Sequence, residues 1–183
     1  MSLKHGLLGI LDCGEMTGYE LDRVFRDSLA FFWHAQTSQI YRELTAMESL
    51  GWLSSTVVPQ SDRPNKKVYA LTPSGKEELI RWLREDNLAE EINTKNPFLM
   101  RLFFLGLLPP EVGIEAMERY RDACSEALSS LSADVSIEEY RRYASSPASA
   151  TYWGITADFG RRFYEMGVEW ANDSIDKIRE ATK

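Results

Sequence analysis

The thirteen residues RPNKKVYALTPSG, beginning at Arg63, constrain the fold more than any other stretch of this chain. They hold a basic turn, a short segment that alternates like a strand (KVYAL), and a helix start. Thr72 has the hydroxyl of an N-cap, and Pro73 fits the first helical position, where its missing N–H is no loss. Just upstream, LSSTVV is rich in β-branched residues and PQSDRPNK is dense in turn formers, so the two strand-like runs close into a hairpin with a basic tip. Leu79, Ile80 and Leu83 supply an apolar side for the helix that follows.

Three helical patterns precede the hairpin. Leu3, Leu7, Leu8, Ile10 and Leu11 recur at helical intervals, and Gly14 is suited to a left-handed helix stop. Tyr19, Leu21, Val24, Phe25 and Leu29 alternate with charge behind Thr17, which forms a capping box with Glu20. After the aromatic linker Ala30-Phe31-Phe32-Trp33 comes QTSQIYRELTAMESLGWL, ended by Gly51. Here Ile40, Leu44 and Met47 form an inward stripe, while Ser38, Tyr41, Arg42 and Thr45 share another face. That face carries hydroxyls, a phenol and a guanidinium, groups able to donate to phosphates or base edges. In isolation it reads more readily as an ordinary solvated helix face; its context shifts the reading. Helix, helix, helix, two-stranded wing, helix is the order of a winged helix-turn-helix, in which the third helix enters the major groove and the hairpin lies along the backbone. Thr37, Ser38, Gln39, Tyr41 and Arg42 are then the groove candidates. Arg63, Lys66 and Lys67 at the wing tip are the phosphate candidates.

The net charge of −7 opposes a nucleic-acid partner only as a sum. Residues 1–83 carry nine Lys and Arg against ten Asp and Glu, whereas residues 84–183 carry twelve against eighteen, so the acidity lies mostly in the second half. Among 183 residues the 44% hydrophobic and 27% charged fractions fit one generous folded domain or two small ones. Cys13 and Cys124 read as buried free thiols, and neither His5 nor His34 has metal-site spacing, so no metal or cofactor is expected. GxSxG, GxGxxG and GxxxxGK[ST] are absent from the sequence, and no carboxylate pair stands out for an enzyme. No apolar run reaches the roughly 18 to 20 residues of a bilayer span, and the start lacks a cleavage pattern. A cytoplasmic protein away from membranes is the expectation.

In the second half, REDNLAEEINTKN reads as a brief extension of the fourth helix and a linker. FLMRLFFLGLL is nearly continuous apolar sequence, fit for a buried helix or a partner-facing segment. Pro109 and Pro110 break it, and helical spacing resumes through Val112, Ala116, Met117, Tyr120, Cys124, Leu128 and Leu131. ASSPASA reads as a loop before a long final helix, in which Tyr152, Ile155, Phe159, Phe163, Met166 and Trp170 form a packing seam. The seam can pack within one chain or between two. A dimer is favoured, because paired reading helices meet half-sites about 34 Å apart on one face of DNA.

LKHGLLGILDCGEMTGYEL, SQIYRELTAMESLGWL and DRPNKKVYALTPSGKEEL resemble the HGYEL-like, IYxxLxxLExxG and RPxxxxYxLTxxG elements of the PadR family of transcriptional regulators. The resemblance spans nearly all of the first 83 residues. It implies that the helix carrying Ile40 and Tyr41 reads DNA and that the strand carrying Tyr69 supports it, with Tyr19, Tyr41 and Tyr69 at recurrent tyrosine positions. Thr17 stands where the family often has His, and Ser38 where Gly is usual. NPFLMRLFFLGLLPPEV and the stretch from WGITADFG to VEW resemble the larger PadR subfamily, whose C-terminal α-helical domain is related to that of virulence-gene activators and serves dimerisation. The family implies an effector pocket for a small aromatic or hydrophobic molecule near the seam, which Trp153, Phe159 and Trp170 could line. The expectation is a mainly α protein with a small β-hairpin, its winged helix in residues 1–88 and an all-α dimerisation domain in residues 89–183. It would repress by occupying double-stranded promoter DNA. The alternative is an adaptor whose winged helix no longer binds DNA.

Overall fold

The computed structural model describes residues 3–29, 32–59, 65–85, 95–133 and 146–182. The chain divides into two compact units, the first of residues 1–86 and 138–150 and the second of residues 87–137 and 151–183.

The first unit holds α1 (Leu3–Leu11), β1 (Met16–Thr17), α2 (Gly18–Leu29), α3 (Thr37–Ser49), β2 (Leu53–Val58), β3 (Lys66–Leu71) and α4 (Pro73–Leu83). Its helix ends follow from local chemistry. At α2 the Thr17 N–H donates to the Glu20 carboxylate at 2.8 Å and the Glu20 N–H returns to the Thr17 hydroxyl at 3.2 Å, which closes the expected capping box. At the end of α3, Gly51 takes φ 75°, a backbone shape that a Cβ disfavours. Its N–H reaches the Glu48 carbonyl at 3.0 Å and the Trp52 N–H reaches Met47 at 2.9 Å, a Schellman closure. Thr72 accepts the Gly75 N–H, and Pro73 opens α4.

The sheet has three strands, not the two expected, in the order β1-β3-β2 and antiparallel throughout. Met16 pairs with Tyr69 and Thr17 with Val68, while β2 and β3 run in register from Leu53 opposite Leu71 to Val58 opposite Lys66. A two-residue strand has no periodicity of its own, and only its pairing partner reveals it. Helix α1 stops at Leu11, with i→i−3 bonds from Cys13 and Gly14, and Gly14 has the positive φ of 150° that side chains disfavour. One further expectation needs correction. Leu83 is exposed, and Trp82 takes the inward place on α4, one turn after buried Leu79.

The core of this unit joins Leu7, Leu8 and Leu11 of α1, Leu21 and Phe25 of α2, and Ile40, Leu44 and Met47 of α3 to Leu53, Tyr69 and Leu79. At its edge the buried His5 ring stacks on Trp82 at 4.7 Å and shares a 2.9 Å hydrogen bond with Glu78. Hydrogen bonds from Arg81 and then His5 hold the Glu78 carboxyl down to about 2.

The second unit holds α5 (Pro97–Phe103), a 3-10 turn (Leu105–Leu107), α6 (Pro110–Ala133) and, from Thr151 onward, α7 (Pro147–Ala181). Asn96 caps α5 by accepting the Leu99 N–H at 3.0 Å. The stretch ASSPASA is only partly the expected loop. Pro147 opens α7, with the Ser146 hydroxyl accepting the Ser149 N–H at 3.2 Å, because proline is tolerated in a first helical turn. Met117, Ala171 and Ile175 are buried together, flanked by Phe98, Leu102, Ile114, Tyr120, Trp170 and Ile178. A Cβ on Gly167 would stand 2.7 Å from the Cys124 sulfur, so the small side of α7 lies against α6. Both cysteines are free, Cys124 buried and Cys13 half-buried.

Helix α7 therefore buries Gly160, Gly167, Ala171 and Ile175 and leaves the aromatic seam outward. Tyr152, Ile155, Phe159, Phe163 and Met166 are all exposed in the single chain, and of the six seam residues Trp170 alone packs into the unit's core. No residue of α5 is buried either, and Phe103 and Leu107 are more than four-fifths exposed. Residues 86–94 of the acidic stretch and residues 30–31 of the aromatic linker lie outside the described residues.

These contacts yield two expectations for stability. A methyl at Gly75 would stand 2.2 Å from the Trp52 carbonyl oxygen, a backbone atom, so Gly75→Ala is expected to lower unfolding free energy in denaturant by about 1–3 kcal/mol. Because Glu78 titrates lower when folded, its contribution is complete above its ordinary value of 4.5 and is lost as pH falls towards about 2. Glu78→Gln should flatten the fall in stability over that acid range.

Candidate nucleic-acid interface

Helix α3 divides cleanly. Ile40, Leu44 and Met47 have no exposed surface, while Thr37, Ser38, Gln39, Tyr41, Arg42 and Thr45 all face outward. The side chains of Ser38 and Arg42 make no hydrogen bond or ion pair with the described residues, so their donors are free for a ligand.

The other α3 candidates are already engaged. Arg26 donates to the Thr37 hydroxyl at 2.7 Å and to Asp22 at 3.1 Å, and the Thr37 hydroxyl lies 3.3 Å from the same carboxylate, which ties the start of α3 to α2. Gln39 folds back so that its side-chain oxygen accepts the Gln36 N–H at 2.8 Å. Tyr41 packs against Gly18: a Cβ there would come within 2.7 Å of the ring and 3.1 Å of its hydroxyl. Burial against that surface pushes the Tyr41 phenol above its ordinary range, although the residue remains 42% exposed. Tyr69 is buried in the core instead.

Lys66 and Lys67 are the first two residues of β3, opposite Val58 and Val57, and so belong to the ladder rather than to the turn. Arg63 lies outside the described residues. Lys66 has no ion-pair partner among the described residues. Lys67 donates to the Glu48 carboxylate at 2.7 Å and sits 5.2 Å above the Tyr69 ring, while Ser55 donates to the other Glu48 oxygen at 2.5 Å. Hydrogen bonds from Lys67 and then Ser55 hold the Glu48 carboxyl below its usual range.

Several residues of this surface carry no sequence signal for it. Asp22 and Arg26 show an i,i+4 spacing, but nothing in the chain announces their contact with Thr37. Glu48 reads as an ordinary helix-end acid. Tyr19, which the helical pattern groups with apolar α2 positions, is 70% exposed beside Gly18.

The three effector candidates do not converge. Trp153, Phe159 and Trp170 are spread over about 25 Å of one helix. Trp170 packs edge-on against Tyr120 at 5.4 Å, Phe159 is exposed beside Phe163, and Trp153 is half-buried. A surface cavity of about 410 Å³ on α4, lined by Lys76, Glu77, Ile80, Arg81 and Arg84, includes none of them. No group of His, Cys, Asp or Glu among the described residues is placed to hold a metal ion, and none of the described helices is long and apolar enough to cross a membrane.

Three helices, a paired wing behind an outward-facing third helix, and a capped fourth define a winged helix-turn-helix protein. The model of the transcriptional regulator PadR-like family matches residues 7–81, and that of the virulence activator alpha C-terminal region matches residues 94–179. The chain is 34% identical over 131 residues to the negative transcriptional regulator PadR of Bacillus subtilis, covering 71% of this chain and 69% of that one. It therefore belongs to the PadR-like family of transcriptional regulators. Its structure resembles that of smu.1604c from Streptococcus mutans UA159, with a TM-score of 0.80 and 30% identity over 96% of this chain and 99% of that one. It also resembles Bacillus subtilis PadR in complex with operator DNA, with a TM-score of 0.76 and 28% identity over 96% and 98% of the two chains. The same regulator in complex with p-coumaric acid matches at a TM-score of 0.69 and 28% identity, over 97% and 98%.

The Tyr41–Gly18 contact makes a testable claim. The atoms that a methyl group at position 18 would meet belong to a side chain with room to swing, so Gly18→Ala should stay folded while displacing the Tyr41 ring. Ring-proton chemical shifts of Tyr41 by NMR, with an unchanged far-ultraviolet circular dichroism spectrum, would show it.

Proposed function

We propose that this PadR-like regulator is a homodimeric repressor that inserts α3 into the major groove of its promoter DNA and is released by a small aromatic molecule. The observation that carries the reading is the outward face of α3, where Ser38 and Arg42 are exposed and unpartnered at the start of a helix fixed at both ends. Arg42 is the candidate for bidentate contact with guanine, and Ser38 and Tyr41 for adjacent bases or phosphates. Thr37 and Gln39 line the same entry and shape it through their bonds to α2 and Gln36. Lys66, with Arg63 and Lys67, is assigned to the flanking backbone.

Residues 1–88 form the DNA module of this proposal and residues 89–183 the dimerisation module. The outward seam of α7 and the unburied apolar run of α5 support a second copy, since apolar patches of this extent mark interfaces. The name of the Bacillus subtilis relative, a negative regulator, supports repression, and its complexes with operator DNA and p-coumaric acid support a DNA target and an aromatic effector. Trp153, Phe159 and Trp170 would then line separate stretches of a pocket completed across the dimer seam.

The test is a mobility-shift titration on the DNA upstream of the protein's own coding region. Wild type should bind with a steep salt dependence, and p-coumaric acid should release it. Arg42→Ala should weaken binding by about 1–3 kcal/mol and relax specificity at one base position. Absence of any shift would favour the adaptor instead. Sedimentation equilibrium should return twice the chain mass, falling when Phe159 and Phe163 are replaced by charged residues.

A further inference from the structure

Lys67 and Glu48 are arranged unlike a DNA-facing cation and a bystander. Glu48 lies in the last turn of α3, and its two oxygens are both taken, one by Ser55 of β2 and one by Lys67 of β3. Tyr69, directly opposite Ser55 in the ladder and two residues beyond Lys67, lies below the ammonium, so the three wing positions share one face of the sheet. One carboxylate thus bridges both wing strands to the end of the reading helix. At the other end of α3, Thr37 is held by Arg26 and Asp22. Lys66, by contrast, has no ion-pair partner among the described residues.

We propose that the Glu48–Lys67 pair is a strut that sets the wing against α3, so that Lys67 is a positioning residue for DNA binding and Lys66 is the phosphate contact of β3. This narrows the role that the proposed function assigns to Lys67, and it rests on that reading. A cation already satisfied by a carboxylate at 2.7 Å gains less from a phosphate, because its present partner would be left behind. Removing the strut lets the wing drift and misplaces Lys66 without deleting a phosphate contact.

The two roles for Lys67 make opposite predictions for Glu48→Gln. If Lys67 neutralises phosphate, removing the competing carboxylate frees the ammonium and deletes a negative charge near DNA, so binding tightens. If the pair is a strut, binding weakens by about two- to fivefold, the range of a partly exposed pair. Affinities of wild type, E48Q, K67M, the double variant and K66A would be measured on the upstream DNA across a salt series. The strut predicts that E48Q, K67M and the double variant weaken binding alike, since either change breaks the same pair, with the salt slope unchanged. K66A alone should lower the slope by about one. Tighter binding by E48Q, or a slope reduced by K67M, overturns the strut while leaving the regulator reading intact. Failure of wild type to shift the DNA overturns that reading, and the strut with it. All five proteins would be matched by thermal melting, so that a loss of fold is separated from a loss of alignment.

Discussion

The contact between α1 and the inner face of α3 governs the rest of the molecule. Ile40, Leu44 and Met47 recur at one side of their helix and meet Leu7, Leu8 and Leu11, with almost none of this surface left to water. Each side chain of this size contributes roughly 1.5–3 kcal/mol on burial, more than any single polar group on the opposite side could offset. The rotation of α3 about its own axis is therefore settled by grease. Its polar residues face outward because nothing else is left to them.

Fixing the axis of α3 takes further contacts, and these are polar and local. The Asp22, Arg26 and Thr37 cluster holds one end against α2, and the Gly51 closure turns the chain into β2 at the other. The pairing of β1 with β3 then links the wing to the start of α2, since Thr17 is at once the last ladder residue and the helix cap. Two helices and the wing thus share their end groups. A displacement of one is felt by the others through hydrogen bonds rather than through loop slack.

Much of this was legible in the chain. The stripes of α1 and α3, the caps at Thr17 and Thr72, the stop at Gly51 and the two paired wing strands have strong local signals, and the structure has each where the sequence places it. What escaped was set by partners distant in sequence. Strand β1 exists only against Tyr69 and Val68, Trp82 turns inward because His5 awaits it, and Lys67 is engaged by a carboxylate nineteen positions away. In the second unit the helices were visible but their orientation was not. Hydropathy alone leaves the aromatic stripe of α7 to pack within one chain or between two, whereas the glycine and alanine stripe lies inside because it permits close approach at Cys124.

The notch over Gly18 has a consequence for how such a protein could change its target. Ser38 and Arg42 bond to no other side chain in the described residues, so under the proposed function exchanging them would alter what is recognised and leave the scaffold indifferent. Tyr41 has no such liberty, because its ring packs against Gly18 at the start of the neighbouring helix and a smaller replacement gives up that contact. Retargeting by mutation would run through the two unencumbered positions, with the tyrosine as a fixed point around which the rest of the alphabet varies.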